Sequence, residues 1–448
     1  MTVSVMVFTR DLRLADNPAL TAAARADAVV PLFVWDQQIL RQAGGNASRL
    51  GFLLDSLRGL DAGLRQAGGA LVSRTGPWAK TVIETARSAG ATHIHLAADV
   101  SGYAAARLES LRQAVAGAGL AVTCHPGITA VEPAAVRGPG GGAYQVFTPY
   151  YRRWLAAGWR RVLPAPARIT LPDGISPGRL PRLGELSAAP RGADLLSGGE
   201  SAGLARLAAW SAGHLAGYER RHDDLAADAT SRLSAYLHFG CVSPLALAAE
   251  MRARPGGAAF VRQVAWRDFF CQLLASRPDA ARRDYRGRGD GWRDDPDGLA
   301  AWQEGRTGYP VVDAAMRQLA REGFMHNRAR MIVASFLTKD LYIDWRAGAA
   351  HFMRHLVDAD VACNQLNWQW VAGTGTDTNR HRVFNPTLQG RRFDAAGEYV
   401  RRYLPELAGL PAAVVHDPDP ATRRQRGYPE PIVDHREAIA AYLASRRG

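Results

Sequence analysis

The chain has 448 residues and a net charge of +13, from 55 Lys and Arg against 42 Asp and Glu. That length predicts two or three folded units, and that charge favours a polyanionic partner, nucleic acid before an acidic membrane. A composition 47% hydrophobic and 22% charged excludes a disordered or low-complexity chain, and four cysteines without a Cys-x-x-Cys pair exclude a zinc ribbon and suit a reducing compartment. The first apolar run, Val3–Phe8, is too short to span a membrane and ends at Arg10, Asp11 and Arg13, so a soluble cytoplasmic protein without a signal peptide is expected. Further strand candidates are Val29–Trp35, Ala70–Ser73, Thr92–Leu96 and Leu120–Cys124. Helical spacing recurs between them, most clearly over Ser48–Gln66 and Tyr103–Ala116. This alternation predicts an α/β doubly wound parallel sheet, which binds ligands beyond the carboxyl ends of its strands. From Glu132 to Glu200 the chain turns to Gly, Pro and Ser, with Gly138-Pro-Gly-Gly-Gly142 and Pro164-Ala-Pro166, and reads as a linker wrapped over a surface. Beyond Ser201 amphipathic helical patterns run to the end, giving expected segments 1–131, 132–200 and 201–448. Residues 151–448 hold +10 of the charge, and only Lys80 and Lys339 are lysines. An arginine bias beside abundant Ala and Gly is also what a GC-rich genome writes.

Common chemical motifs are mostly absent. Neither lysine follows a glycine loop as a phosphate-binding loop requires, and no G-x-G-x-x-G follows a strand. His351 and His355 stand four apart with Asp358 following, which could present two imidazoles to a metal, but a pair of partly exposed helix histidines is the plainer reading, and no metal is expected. Two segments carry more. Tyr218 and then Thr230-Ser-Arg-Leu-Ser234 crowd hydroxyls at a helix start, where backbone N–H groups suit a phosphate, although one hydroxyl alone would serve as a cap. Asp358-Ala-Asp360 to Trp368-Gln-Trp370, followed by Gly373-Thr-Gly-Thr-Asp377, places carboxylates and amides among apolar residues. Buried carboxylates need partners, and Arg328 and Arg330 are the nearest candidates. Eleven tryptophans, several beside polar residues, suit stacking or electron transfer as well as packing.

These segments, together with Trp266-Arg-Asp-Phe269, Gly308-Tyr-Pro-Val-Val-Asp-Ala-Ala-Met316, His326-Asn-Arg328, Asp344-Trp345-Arg346 and Phe384-Asn-Pro386, resemble in order and spacing the catalytic region of the DNA photolyase/cryptochrome family, in particular its class I cyclobutane pyrimidine dimer photolyases. Phe8-Thr-Arg-Asp-Leu-Arg13 resembles the family's N-terminal antenna domain. The resemblance implies an α/β antenna-binding domain, a linker and an all-helical domain that binds FAD. Carried over by position, Tyr218, Thr230, Ser231, Arg232, Leu233 and Ser234 would hold the flavin phosphates. Arg267, Asn327 and Arg330 would lie beside the flavin, Asp358 and Asp360 would contact its adenine–ribose and ring, and Asn364 would face flavin N5, as in the repair enzymes. Trp368, Trp345 and Trp292 match the family's electron relay. Trp266 and Trp370 would stack on a flipped-out lesion, with Gln263, Asn327, Arg328, Met331, Arg382 and Gln389 completing the DNA contacts. The implied activity is light-driven repair of cyclobutane dimers in UV-damaged duplex or single-stranded DNA by a monomer.

The sequence departs from the family pattern at Gln263, where many cyclobutane-dimer enzymes have glutamate. Glutamine there is similar to (6-4) photolyases and animal cryptochromes, but Asn327 and Met331 occupy the positions of the (6-4) histidine pair. Without an imidazole acid the proton transfer of (6-4) repair has no donor. A cryptochrome-type light sensor and a (6-4) photolyase are therefore the alternatives. Phe324 in place of a common Trp, and Cys363, are smaller departures. For the antenna, Asp99-Val100 and Tyr103, with Ser101 where folate-type members carry glutamate, resemble the 8-hydroxy-deazaflavin kind more than the methenyltetrahydrofolate kind.

Overall fold

Five apolar runs form five parallel strands, β1 (Val3–Val7), β2 (Ala28–Trp35), β3 (Val72–Thr75), β4 (His93–Ala97) and β5 (Ala121–His125), in the order β3-β2-β1-β4-β5. The computed structural model describes residues 1–448 except 43–45, 118, 193–194, 288, 380 and 446–448. β1 is central, with Val5 opposite Val30 of β2 and Ile94 of β4. All three are fully buried, as a strand covered on both faces must be. Observed strand ends differ from the expected ones by one or two residues. The largest shift is at β3, where Ala70 and Leu71 are buried ahead of the first ladder bond. The predicted helices form as Ala47–Gln66 and Gly102–Val115, each capped by a side chain, Asn46 and Ser101.

Residues 132–200 hold more than a surface wrap. Phe147–Ala156 is a helix whose Phe147, Tyr150 and Trp154 are buried at steps of three and four. Trp154 Nε1 donates to Asp268 of the Gly257–Ser276 helix at 2.9 Å. Compactness divides the chain into a first unit of 1–191, 195–216 and 231–278, and a second of 192–194, 217–230 and 279–448. The segment 231–278, helical and expected with the C-terminal part, is thus built into the first unit. Gly240 shows why: it ends the Ser234–Phe239 helix at φ +69, and a Cβ there would lie 1.9 Å from the Arg10 carbonyl oxygen. Only glycine permits that approach to the end of β1.

The second unit is helical. Its core includes Trp302, Val312, Met316, Leu319, Ile332, Phe336 and Trp345, at most 1% exposed. A π-helical turn, Phe336–Asp340, follows the Asn327–Ser335 helix, a departure that often marks a functional position. No helix among the described residues is long and apolar enough to cross a membrane.

Candidate cofactor and nucleic-acid sites

In the second unit, the Asn327–Ser335 helix begins at His326, whose Nδ1 accepts from the Arg328 N–H at 3.1 Å. Burial lowers its pKa to about 4, so the imidazole is neutral and carries its proton on Nε2. That Nε2 is buried with no hydrogen-bond partner. Arg330 Nη2 donates to Asp358 Oδ2 at 2.8 Å and its Nε to the Met325 carbonyl at 2.8 Å. Arg328, expected as a second partner for the Asp358 pair of carboxylates, instead pairs with Asp223 and lies over the Phe393 ring at 4.4 Å. Asp360 caps the Val361–Ala372 helix and accepts from the Cys363 N–H at 2.9 Å. One turn on, Asn364 donates both amide hydrogens, to the Ala349 carbonyl at 3.0 Å and to Gln365 Oε1 at 3.2 Å. This takes up both amide hydrogens and leaves the carbonyl oxygen as the group that can accept from a ligand. Tyr218 is buried at the start of a short helical turn, its ring 5.3 Å from His222. Burial and the nearby Asp223 hold its phenol above the usual range, so it is a proton-bearing donor. Thr230 is half-buried, Asn327 exposed and Met331 half-buried.

A donor without a partner, a carboxylate paired with an arginine and an amide whose N–H groups are both taken suit a polar heterocycle, so these residues fit a flavin. The tryptophans follow directly. Trp368, one turn after Asn364, packs edge-on against Phe352 (5.0 Å between ring centroids) and Trp302 (5.9 Å). A Cβ on Gly348 would come within 2.2 Å of the Trp368 ring. Glycine therefore lets this indole lie against the Trp345–His355 helix, one turn from Trp345. Trp345 is buried and donates to Asp284 at 2.8 Å. Trp292 is half-buried against Tyr342. Trp302, whose Nε1 donates to the Val333 carbonyl, escaped the sequence reading because nothing local distinguishes it. Trp370 is half-buried under the Arg382 guanidinium (5.2 Å), which also bonds Asp377. Gln389 is half-buried beside Leu388, which is 59% exposed. His351 and His355 face each other at 4.4 Å, and no group of three metal-ligating side chains occurs among the described residues.

The first unit holds the remaining predicted residues. Trp266 stacks flat on Phe147, with centroids 3.7 Å apart at 4°, and is half-buried, while Gln263 one turn earlier is exposed. Arg262 lies over Phe147 and Tyr151. Arg267, expected beside the flavin, is buried and donates to the Ile128 and Leu237 carbonyls. Those bonds make it a tie between chain segments. In 231–234, none of the hydroxyls caps the helix: Leu233 occupies that position and Ser231 Oγ accepts from its N–H at 3.3 Å. Arg232 adopts φ +53. At the carboxyl ends of β2 and β4, Tyr103 donates to Asp36 (2.5 Å), and Asp99 accepts from the Ser101 N–H (2.9 Å). Arg107 lies 4.1 Å over the Trp78 ring with its Nε buried and unbonded. Burial and Asp36 push the Tyr103 phenol up to about 12, so it stays a donor.

Residues 260–447 match the family model described as the FAD binding domain of DNA photolyase, and residues 4–168 match that of DNA photolyase. The chain is 52% identical over 454 residues to a deoxyribodipyrimidine photo-lyase of Streptomyces griseus, covering 100% of this chain and 99% of that protein. It also resembles the crystal structure of a bacterial class III photolyase from Agrobacterium tumefaciens, with TM-score 0.92 and 35% identity over 100% of this chain and 97% of the other. An archaeal photolyase from Sulfolobus tokodaii, crystallised with two FAD molecules, aligns at TM-score 0.87 and 28% identity over all of both chains.

Proposed function

The chain belongs to the DNA photolyase family, and from that premise we propose that it is a class I enzyme that repairs cyclobutane pyrimidine dimers in UV-damaged DNA as a monomer. The observation that carries the reading lies in the second unit: the Arg330–Asp358 pair, the Asn364 amide fixed by two donated hydrogen bonds, and Trp368 one turn away. Bound FAD supplies the chemistry when reduced and excited, lending an electron to the dimer and recovering it, with no net redox change. The protein positions and insulates. Arg330 pairs with Asp358, Asp360 fixes the start of the helix that carries Asn364, and Tyr218 remains a donor. Tyr218, Thr230 and Ser231–Ser234 belong to the same proposal as phosphate contacts. Trp368, Trp345 and Trp292 supply oxidisable indoles leading outward from the flavin position. Trp266 and Trp370 each offer a half-exposed indole face for a flipped-out base, which a damaged and poorly paired dimer yields at least cost. Gln263 can both donate to and accept from a thymine edge.

Fold does not decide the class, since the Agrobacterium class III structure aligns as well as any described above. The antenna reading is 8-hydroxy-deazaflavin, supported by the Arg107–Trp78 face and the Tyr103–Asp36 pair, which suit a planar hydroxylated heterocycle. A cryptochrome-type sensor is the second reading, favoured by Gln263. Protein carrying reduced FAD is offered a cyclobutane dimer and a (6-4) lesion separately, under blue light and in darkness. Turnover of the cyclobutane dimer in light alone is expected. Turnover of the (6-4) lesion, or lesion-independent partner binding without turnover, would replace this reading with one of its alternatives.

A further inference from the structure

Tyr342 stands out among residues that the proposed function leaves unused. Its ring centroid is 5.1 Å from that of Trp292, and its hydroxyl lies 3.4 Å from Asp290 Oδ1. Its backbone sits at φ +55, a left-handed conformation that is costly for a bulky aromatic residue and persists only where the surroundings enforce it. The enforcement is visible. Tyr342 follows the π-helical turn, with Leu341 N–H donating to the Phe336 carbonyl and Ile343 N–H to that of Leu337, both at 3.0 Å. Its own carbonyl accepts from the Arg293 N–H at 2.8 Å, which ties it to the residue after Trp292. Plain packing against Trp292 would need neither a hydroxyl aimed at a carboxylate nor a strained backbone.

We propose that Tyr342 is a redox residue that reduces oxidised Trp292, giving one electron to the indole while its phenol proton passes to the Asp290 carboxylate. The step rests on the reading of Trp292 as the outer end of the tryptophan relay, with photoexcited oxidised flavin as the oxidant. The phenol O–H bond breaks and a carboxyl O–H bond forms. Trp292 returns to neutral indole, and Tyr342 is left as a neutral phenoxyl radical. The carboxylate matters because a phenol that loses an electron without losing its proton is a high-energy cation, and a base within reach removes that barrier. Apo geometry at such a bond is commonly long, as the 3.4 Å separation is here. Behind Tyr342, Tyr442 is buried with its ring centroid 6.0 Å away. Both phenols line a cavity of about 190 Å³, together with Arg293, Lys339 and Asp340. A small external reductant therefore has a path to the phenoxyl without reaching the buried indoles.

The test is transient absorption of the full-length protein loaded with oxidised flavin, read as protein radicals after a blue flash. In the unsubstituted protein the broad visible band of a tryptophan radical should give way to the narrow near-ultraviolet band of a phenoxyl radical, more slowly in D2O than in H2O. Tyr342→Phe should lose the narrow band and keep the tryptophan radical several-fold longer, and Asp290→Asn should slow the conversion. Identical traces for the unsubstituted protein and Tyr342→Phe would overturn the proposal, as would loss of the narrow band in Tyr442→Phe with its survival in Tyr342→Phe. The relay itself is tested separately by Trp292→Phe: if the conversion persists there, or no tryptophan radical forms in the unsubstituted protein, the underlying reading fails rather than the tyrosine step alone.

Discussion

Arg13, Arg267 and Asp268 of the first unit and three arginines of the second meet different kinds of partner. In the first, Arg13 donates to the carbonyls of Asp16, Gly127 and Gly240, Arg267 donates to those of Ile128 and Leu237, and Asp268 accepts from Val131 N–H and Trp154 Nε1. Most partners are backbone groups more than a hundred residues away in sequence. These charges staple strands, linker and helices of the first unit together, because a buried carbonyl or N–H left without a partner costs about 1–3 kcal/mol and an unpaired buried charge costs more. In the second unit Arg328–Asp223, Arg330–Asp358 and Arg382–Asp377 pair side chain with side chain, and their arginines stay 18%, 26% and 40% exposed. Such pairs hold charge in place while leaving part of it to meet a ligand. Burial alone therefore does not mark function here, since Arg423 of the second unit is buried too and donates to the Pro418, Gly308 and Pro429 carbonyls.

The largest expected effect comes from breaking a second-unit pair. Arg330→Ala takes the arginine away from buried Asp358, and should cost up to about 3–5 kcal/mol in the flavin-loaded state. Thermal midpoint and flavin content measure it, and unchanged flavin retention would place the cofactor elsewhere. In the first unit, burial pushes Asp268 up to about 6 despite the neighbouring Arg267 and its two N–H donors. The fold thus prefers the neutral acid, so its contribution is full below the ordinary carboxyl range and is lost as pH rises through about 6. Asp268→Asn should remove about 2–3 kcal/mol of that decline, judged by denaturation midpoints between pH 4 and 8. A parallel pH profile in the variant would show that Asp268 titrates normally. Trp370→Ala should weaken binding of dimer-containing DNA by about 1–3 kcal/mol, the scale of one base–aromatic stack. Phe147→Leu, which removes the plate beneath Trp266, should cost about 0.5–1.5 kcal/mol in the same titration. Equal losses on undamaged DNA would assign both aromatics to general binding instead of the lesion.

The sheet was legible because its signal is local. Apolar runs and helical spacing located all five strands to within two residues, whereas the order that puts β1 at the centre is seen only in the pairing. The Phe147–Ala156 helix was also legible, since Phe147, Tyr150 and Trp154 recur at helical spacing, but the surrounding glycines and prolines drew the reading toward linker. Pairings between distant residues were not legible. The choice of Arg330 over Arg328 for Asp358, the spending of Arg267 on carbonyls and the seating of 231–278 beside β1 depend on where the chain returns, which periodicity does not encode. Tyr342 and Trp302 were missed for the same reason: each is an ordinary aromatic until its neighbours are known.

The most direct measurement is a single saturating blue flash given to the protein with reduced FAD, bound to an oligonucleotide holding one thymine cyclobutane dimer. Light-driven electron loan and return predicts two restored thymines and a flavin spectrum unchanged once the flash has decayed. An intact dimer, or equal splitting in an unflashed sample, would contradict it.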